Sequence, residues 1–493
     1  MSGQTRADEL VPLTVSGGGS PWSRLSGLPA WLRSALFRQP SDARPGWRRV
    51  LAGVLFVVAG AAVSLARTSG PGALNSTWIE DAGNFLNDAL REPVLTTLTT
   101  QMNGYYDVVP RAITAVAVRF PIAWAPAIMS ASAAAEYAIF GLIVYIASGP
   151  HLRSPWLRLL VAAPVCVVPL GYTQANNDLA TVQFVALYGL FWLMLWRPVT
   201  RAGQVCAPLI MLGATLTSIL PVLLAPLVAA RLIADRSKAA IAVALCWAAG
   251  LVAQWTVQVR GLSNRSSQLY TSPLWILRNY AARVVPRAIF GERALGGAGV
   301  DYTGKAVRLY IPDVAEHQAL IWGACAIVVA VACIALGRLT APHWPLAVTA
   351  LVFSVVLFVG EIVDNLPVVQ PRYVIAPALL LYTAIVAWLR PRGVTYDASP
   401  AREPEEVPSG EAPATAARRP LLRTAAAWAP VTVFALILAV AVGSNYRVVN
   451  SRSESPSWTS VVATARQTCR MPGVDAYEYV HLWWQVEIPC SKV

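Results

Sequence analysis

"WRRVLAGVLFVVAGAAVSLAR", Trp47 to Arg67, carries no charge between Arg49 and Arg67. Its length and apolarity match the roughly 20 residues a helix needs to cross the hydrocarbon of a bilayer. Arg48 and Arg49 at its start mark the cytoplasmic side, because cytoplasmic loops are enriched in Lys and Arg, so the chain emerges outside near Thr68. The whole composition agrees. Of 493 residues, 56% are hydrophobic and 13% charged, more apolar than a soluble core requires. A formal net charge of +13 would suggest nucleic acid in a soluble chain; in a membrane protein it reads as basic cytoplasmic loops, and no nucleic-acid partner is expected.

Carried along the chain, the same two rules predict about eleven spans. After Trp47 to Arg67 come Ile122 to Ser148, returning to the basic "HLRSPWLR", then Trp156 to Tyr172 and Leu179 to Trp196. The stretch 204–238 reads as a hairpin broken by Pro221 and Pro226. Lys238 to Gln258, Ala319 to Leu336, Leu346 to Gly360, Tyr373 to Leu389 and Ala425 to Val442 complete the set. Residues 1–46 read as a disordered cytoplasmic tail without a cleavable signal, in which "PAWLRSALFR" could form an interfacial helix with Trp31, Leu32 and Phe37 in lipid and Arg33 and Arg38 at the headgroups. Residues 391–424, biased to Pro, Glu and Ala, read as a disordered cytoplasmic linker, and 444–493 as an extracytoplasmic tail. The expected architecture is an all-α polytopic membrane protein with amphipathic interfacial helices in its extracytoplasmic loops.

Cysteines test that topology independently. Cys166, Cys206, Cys246, Cys325 and Cys333 fall in apolar spans, where a thiol is usually a small hydrophobe. Cys469 and Cys490 lie in the tail placed outside, where an oxidising compartment would let them form a disulfide.

The outside loop from Thr68 to Pro110 contains "NSTWIEDAGNFLNDAL", Asn75 to Leu90. Five acids, Glu80, Asp81, Asp88, Glu92 and Asp107, face one base, Arg91. Acids near a helix start can serve its dipole; they can also serve chemistry. "NGYYDVVPRAITAVAVRFP", Asn103 to Pro121, follows at helical spacing, with Tyr105, Tyr106, Arg111 and Arg119 suited to a membrane surface.

"WIEDA" after the first span, followed by "GYYDVVPRAITAVAVRFP", resembles the first extracytoplasmic loop of the GT-C superfamily of integral-membrane glycosyltransferases. The likeness is specific over residues 78–121 and architectural over 47–390; the Ala- and Arg-rich composition also resembles that of high-GC actinobacterial proteins. It implies an enzyme of the bacterial cytoplasmic membrane that takes a sugar from a polyprenyl-phosphate donor and passes it to a cell-envelope glycan or glycolipid acceptor. By this resemblance an acid of the loop is the general base for the acceptor hydroxyl, a role expected for Asp81 with Glu80 as partner. In metal-using relatives the acid pair binds a divalent cation, Mg or Mn, although adjacent side chains need not converge and no third ligand is evident.

A lipid-phosphate leaving group calls for cations. The loop 259–318 is rich in arginine, and Arg278, Arg283 and Arg287, interleaved with aromatic residues, are candidates for the donor phosphate, with Arg372 and His317. Excess charge in a long loop, or pairing of Arg372 with Glu361 or Asp364, would explain the same residues without a ligand. Asn176, Asn177 and Asp178 could bind sugar hydroxyls or simply form a turn, and Tyr105 is a further candidate for the acceptor or sugar. The aromatic tail could cap the site. Alternative functions are a Wzy-type glycan polymerase or ligase, which suits the Arg-rich loop, and a transporter, which would call for mid-span ionisable residues and an internal repeat. Walker, HExxH and GxSxG motifs are absent from the sequence.

Overall fold

Val50, Leu51, Val54, Leu55 and Val58 all stand exposed on helix Trp47–Leu65. A row of bare aliphatic side chains is a liability in water and the ordinary surface of a helix in lipid. In the computed structural model, six helices among the described residues are long and apolar enough to cross a membrane: Trp47–Leu65, Ile122–Ala147, Lys238–Val257, Trp344–Ile362, Pro371–Trp388 and Ala425–Ser444. The framework is that of an all-α membrane protein. The structure describes residues 30–38, 46–102, 104–171, 173–259, 272–295, 299–303, 306–310, 325, 329, 337, 339–362, 369–392, 414–447, 449–481 and 484–493.

Shorter apolar helices, Pro155–Val167, Val182–Leu195 and Leu220–Ala234, run among the long ones. The expected proline-broken hairpin is helix Arg201–Thr217 followed by Leu220–Ala234, with Pro221 and Pro226 each in the first turn of a helical segment, where the missing N–H costs nothing. The expected span Ala319 to Leu336 falls outside the described residues apart from isolated positions. Val182–Leu195 and Ile375–Trp388 are apolar all round and almost wholly buried, as a central helix must be. The Tyr188 hydroxyl joins them, 2.9 Å from Thr383 Oγ1, and donates to Val161 O at 2.9 Å, a polar tie of the kind that binds helices where apolar contact alone gives little preference over lipid.

At one end of the bundle the loop following Leu65, the turn 173–181 and the C-terminal tail come together. Arg67 Nη2 donates to Val168 O at 2.8 Å, and the Tyr446 hydroxyl to Val63 O at 2.9 Å. At the other end Arg197 bridges to Asp235 at 3.1 Å and donates from Nη1 to Phe37 O at 3.2 Å, which docks the short helix Ala30–Leu36.

Sequence reasoning did not anticipate any strands. Among the described residues there are two antiparallel ribbons, Gly299–Thr303 with Ala306–Tyr310, and Ala476–His481 with Trp484–Pro489. The second belongs to a folded tail: helix Trp458–Thr468, the ribbon, and a disulfide between Cys469 and Cys490 whose Cα atoms are 5.4 Å apart. Trp484, Val486 and Ile488 alternate inward along the last strand. The tail is built against the first loop. Trp458 Nε1 donates to Ile122 O at 2.9 Å, Glu487 N donates to Asn87 Oδ1 at 3.0 Å, and Arg91 pairs with Glu487 at 3.1 Å. Gly70, at φ +68, leaves room for this approach, since a Cβ there would fall 1.9 Å from Ser453 O.

Candidate functional site

The acidic loop opens on a π-helical turn, Asp81–Leu86, that runs into helix Asn87–Arg91; such turns are rare and concentrate at functional sites. Glu80 stands immediately before it. Glu80 Oε1 meets Arg372 Nη1 at 3.2 Å, so the first loop is joined to the start of a helix 292 positions later. Arg372 thus pairs with Glu80, an acid not among the Asp364 and Glu361 partners considered from sequence. Asp364 lies outside the described residues, and Glu361, buried at the end of helix Trp344–Ile362, is within electrostatic reach of Arg372. The Arg372 guanidinium lies 5.7 Å from the ring centroids of Phe184 and Tyr373. Its backbone N–H donates to Gln174 Oε1 at 3.4 Å. Arg372 Nε and Glu80 Oε2 remain without a hydrogen-bond partner among the described residues.

Asp107 completes the cluster. It precedes helix Val108–Ala117 with a left-handed backbone, φ 51 and ψ 44, a conformation that non-glycine residues hold only when their surroundings impose it. Its side chain is fully buried, and neither carboxylate oxygen has a partner among the described residues. Burial pushes its pKa up to about 8; Arg111 and Arg372 oppose the rise and Glu80 adds to it. Arg111, expected at the membrane surface, is instead buried, with Nη1 2.8 Å from Asp88 Oδ2 and its guanidinium over the Phe85 ring at 5.2 Å. Helix Val108–Ala117 therefore turns one basic residue inward to hold the acidic loop, not outward to headgroups.

Asp81 occupies a different environment. Its Oδ2 accepts the Leu179 N–H at 2.9 Å and its Oδ1 the Ala180 N–H at 3.0 Å, just ahead of helix Val182–Leu195. Burial and the neighbouring Asp178 raise its pKa against those two bonds. Each oxygen of Asp81 thus accepts one backbone donor from the turn ahead of helix Val182–Leu195, while Asp81 itself begins the turn Asp81–Leu86, the position at which the dipole role was expected from sequence. For the general-base role expected of Asp81, the remaining lone pair of each oxygen would have to meet the acceptor, since the other accepts a backbone N–H.

Asn176, Asn177 and Asp178 are also buried and bonded. Asn176 Nδ2 donates to Thr68 Oγ1 at 2.7 Å, Asn177 exchanges two 2.7 Å bonds with Ser64, and Asp178 accepts from the backbone N–H groups of Asn176 and Thr181. Their side chains shape the turn, so the structure favours turn formation over sugar contact. Tyr105 is buried, and its backbone exchanges hydrogen bonds with Met102 at 2.8 and 3.0 Å.

Arg278 is exposed on helix Pro273–Asn279, whereas Arg283 sits buried in a second π-helical turn, Tyr280–Val284, and Arg287 is buried on helix Val285–Phe290, which packs against helices Ile375–Trp388 and Ala414–Ser444. His317 lies outside the described residues. Glu80 and Asp81 turn to different partners, so the acid pair does not converge on a cation. Among the described residues no group of three or more His, Cys, Asp or Glu side chains is placed to hold a metal.

One residue of the site carried no signal in the sequence. Arg452, in "NSRSESPS" of the tail, is fully buried and donates to Ser76 Oγ at 2.9 Å, Asn176 O at 3.1 Å, Asn177 O at 2.9 Å, Ala73 O at 2.6 Å, Ser76 O at 2.9 Å and Ser130 Oγ. This guanidinium clamps the first loop, the 173–181 turn and helix Ala125–Ala147 together.

No protein-family model matches the chain, and no curated protein matches it.

Proposed function

We propose that this chain is an inverting glycosyltransferase that moves a sugar from a polyprenyl-phosphate donor to a glycan or glycolipid acceptor at the outer face of a bacterial cytoplasmic membrane. The observation that carries the reading is Asp107, a buried carboxyl group whose two oxygens have no partner among the described residues, held in a left-handed backbone beside the Glu80–Arg372 pair. Strain and an unsatisfied buried charge at one residue are costly, and they persist where function requires them.

In this reading the acceptor hydroxyl attacks the anomeric carbon, its proton passes to Asp107, and the bond from that carbon to the phosphate oxygen breaks. A hydroxyl is too weak an acid to ionise beforehand, so the base must receive the proton during bond formation. A carboxylate poised near neutral pH suits that task better than one of ordinary acidity. Polyprenyl phosphate leaves with its negative charge facing Arg372, whose Nε has a donor to offer, while Glu80 holds the guanidinium in place. No step passes through a metal.

The membrane arrangement follows in the same reading. The six long helices, Pro155–Val167, Val182–Leu195, Arg201–Thr217 and Leu220–Ala234, with the span expected from sequence at Ala319 to Leu336, would make eleven crossings. The N-terminus is then cytoplasmic and the tail extracytoplasmic, where the disulfide on the side of Glu80 and Asp107 is at home.

The test is transfer of radiolabelled sugar from polyprenyl-phosphate donors by purified protein, comparing wild type with Asp107→Asn and Glu80→Gln at equal amounts of folded protein. Losing the general base should slow transfer by about 100-fold or more. Transfer by Asp107→Asn at the wild-type rate removes the assignment; if no polyprenyl-phosphate sugar is used by the wild type, joining of lipid-linked oligosaccharides becomes the better reading.

A further inference from the structure

The turn 173–181 is polarised across its backbone. Its carbonyl side faces a cation: Arg452 Nη1 donates to Asn176 O at 3.1 Å and to Asn177 O at 2.9 Å. Its N–H side faces two carboxyl groups. Leu179 and Ala180 donate to Asp81 at 2.9 and 3.0 Å, and Asn176 and Thr181 donate to Asp178 at 2.8 and 3.0 Å. A guanidinium on one side and acids on the other favour the same orientation of these peptide groups, so the two sets of contacts support each other.

Arg452 suits this place by its shape. Its remaining N–H groups reach Ser76 Oγ, Ser76 O, Ala73 O and Ser130 Oγ, so one rigid fork answers backbone carbonyls of two separate segments. A lysine ammonium, with three donors at a single point, cannot span both sets. The stretch of tail that carries Arg452 is itself fixed: the Arg452 N–H donates to Asn450 Oδ1 at 3.1 Å, and the Ser455 hydroxyl donates to the Arg452 carbonyl at 2.8 Å. From Arg452 an unbroken path of hydrogen bonds and backbone leads through the turn to Asp81. Glu80, the residue before it, makes the 3.2 Å contact with Arg372.

We propose that Arg452 is a positioning residue for the Glu80–Arg372 pair: it holds the turn so that Leu179 and Ala180 hold Asp81, and Asp81 fixes the backbone from which Glu80 reaches Arg372. The effect on the pair follows from the geometry alone, whereas the effect on turnover rests on the transferase reading. The last strand of the tail touches the same acidic segment further along, at Asn87 and Arg91, and is the competing support.

The test is hydrogen exchange of the full chain in phosphatidylcholine nanodiscs, read on peptides covering 79–91, 173–181 and 449–457, for wild type, Arg452→Lys, Asp81→Asn and the double variant. Arg452→Lys should speed exchange about tenfold or more in both 173–181 and 79–91. In the Asp81→Asn background it should add nothing at 79–91. Faster exchange at 173–181 with 79–91 unmoved, or equal acceleration of 79–91 in both backgrounds, overturns the proposal and leaves the strand as the support. At equal amounts of folded protein, Arg452→Lys should lower kcat for sugar transfer about tenfold while the donor KM changes less than about twofold, because Arg372 meets charge that develops as the phosphate leaves. An unchanged kcat beside coupled exchange removes the positioning role. If wild type transfers no sugar, the transferase reading fails and exchange alone decides whether Arg452 sets the pair. Should Arg452→Lys not fold, wild type decides: the three peptides must open together, and opening of 79–91 ahead of 173–181 refutes the relay.

Discussion

Replacing Asp107 by Asn should make this protein more stable while it stops working. The carboxyl rises to about 8 on folding from an ordinary value of 3.8. A group that binds its proton more tightly when folded favours folding most below the lower value, loses that advantage as pH rises between the two, and levels off above the higher one. At pH 7 the cost of keeping Asp107 buried is about 4 kcal/mol, from roughly three pH units at about 1.4 kcal/mol each. Asn removes the titration, tolerates a left-handed backbone at least as well, and leaves an unpartnered neutral amide costing about 1–3 kcal/mol. The net gain is therefore about 1–3 kcal/mol at pH 7, growing towards pH 8 and turning into a loss of about 1–3 kcal/mol in acid, where the wild-type carboxyl bears no titration cost. Unfolding midpoints of purified wild type and Asp107→Asn, measured in one detergent at about pH 5, 7 and 9, check this. A variant that unfolds below wild type at every pH, or a gap that does not widen as pH rises, refutes the claim that an uncompensated buried carboxyl sits at this position.

Asp81→Asn should behave in the opposite way. Turning an NH2 towards the Leu179 or Ala180 N–H leaves a buried donor unanswered at about 1–3 kcal/mol, a cost that is exposed once the raised carboxyl is protonated, so the variant should unfold below wild type at about pH 4. Glu80→Gln, altering a partly exposed ion pair, should leave the midpoint nearly unchanged. If Asp107 is the base, sugar transfer should climb with pH and level off above about 8, because only the ionised carboxylate can take the proton; a rate that is flat from about pH 6 to 9 argues against it. Cys469→Ser opens a loop whose ends are 21 residues apart, which should cost about 3 kcal/mol within the tail and show as faster proteolysis of residues 469–490, with the apolar helices untouched.

Membrane character was legible in the sequence because hydrocarbon thickness imposes a length and an apolarity on each span that can be read residue by residue, as in Trp47 to Arg67. The disulfide was legible because compartment and topology left Cys469 and Cys490 as the pair outside the spans. The tail ribbon could have been read from the alternation of Trp484, Val486 and Ile488, a period-two signal short enough to pass as loop.

Which acid does which job was not legible. Glu80 and Asp81 are neighbours in the chain, yet one faces Arg372 and the other two backbone N–H groups of a distant turn, because successive residues of a helical backbone point about 100° apart. Asp107 looked like one acid among five until packing removed its partners, and Arg452 looked like a polar tail residue until it proved to be the clamp on three segments. Local sequence thus determined which helices are long and apolar enough to cross a membrane, since that depends on the transfer of one segment between two solvents. Charge pairing, burial and orphaned lone pairs were decided by tertiary structure alone, because each depends on residues up to several hundred positions away meeting at a distance of about 3 Å.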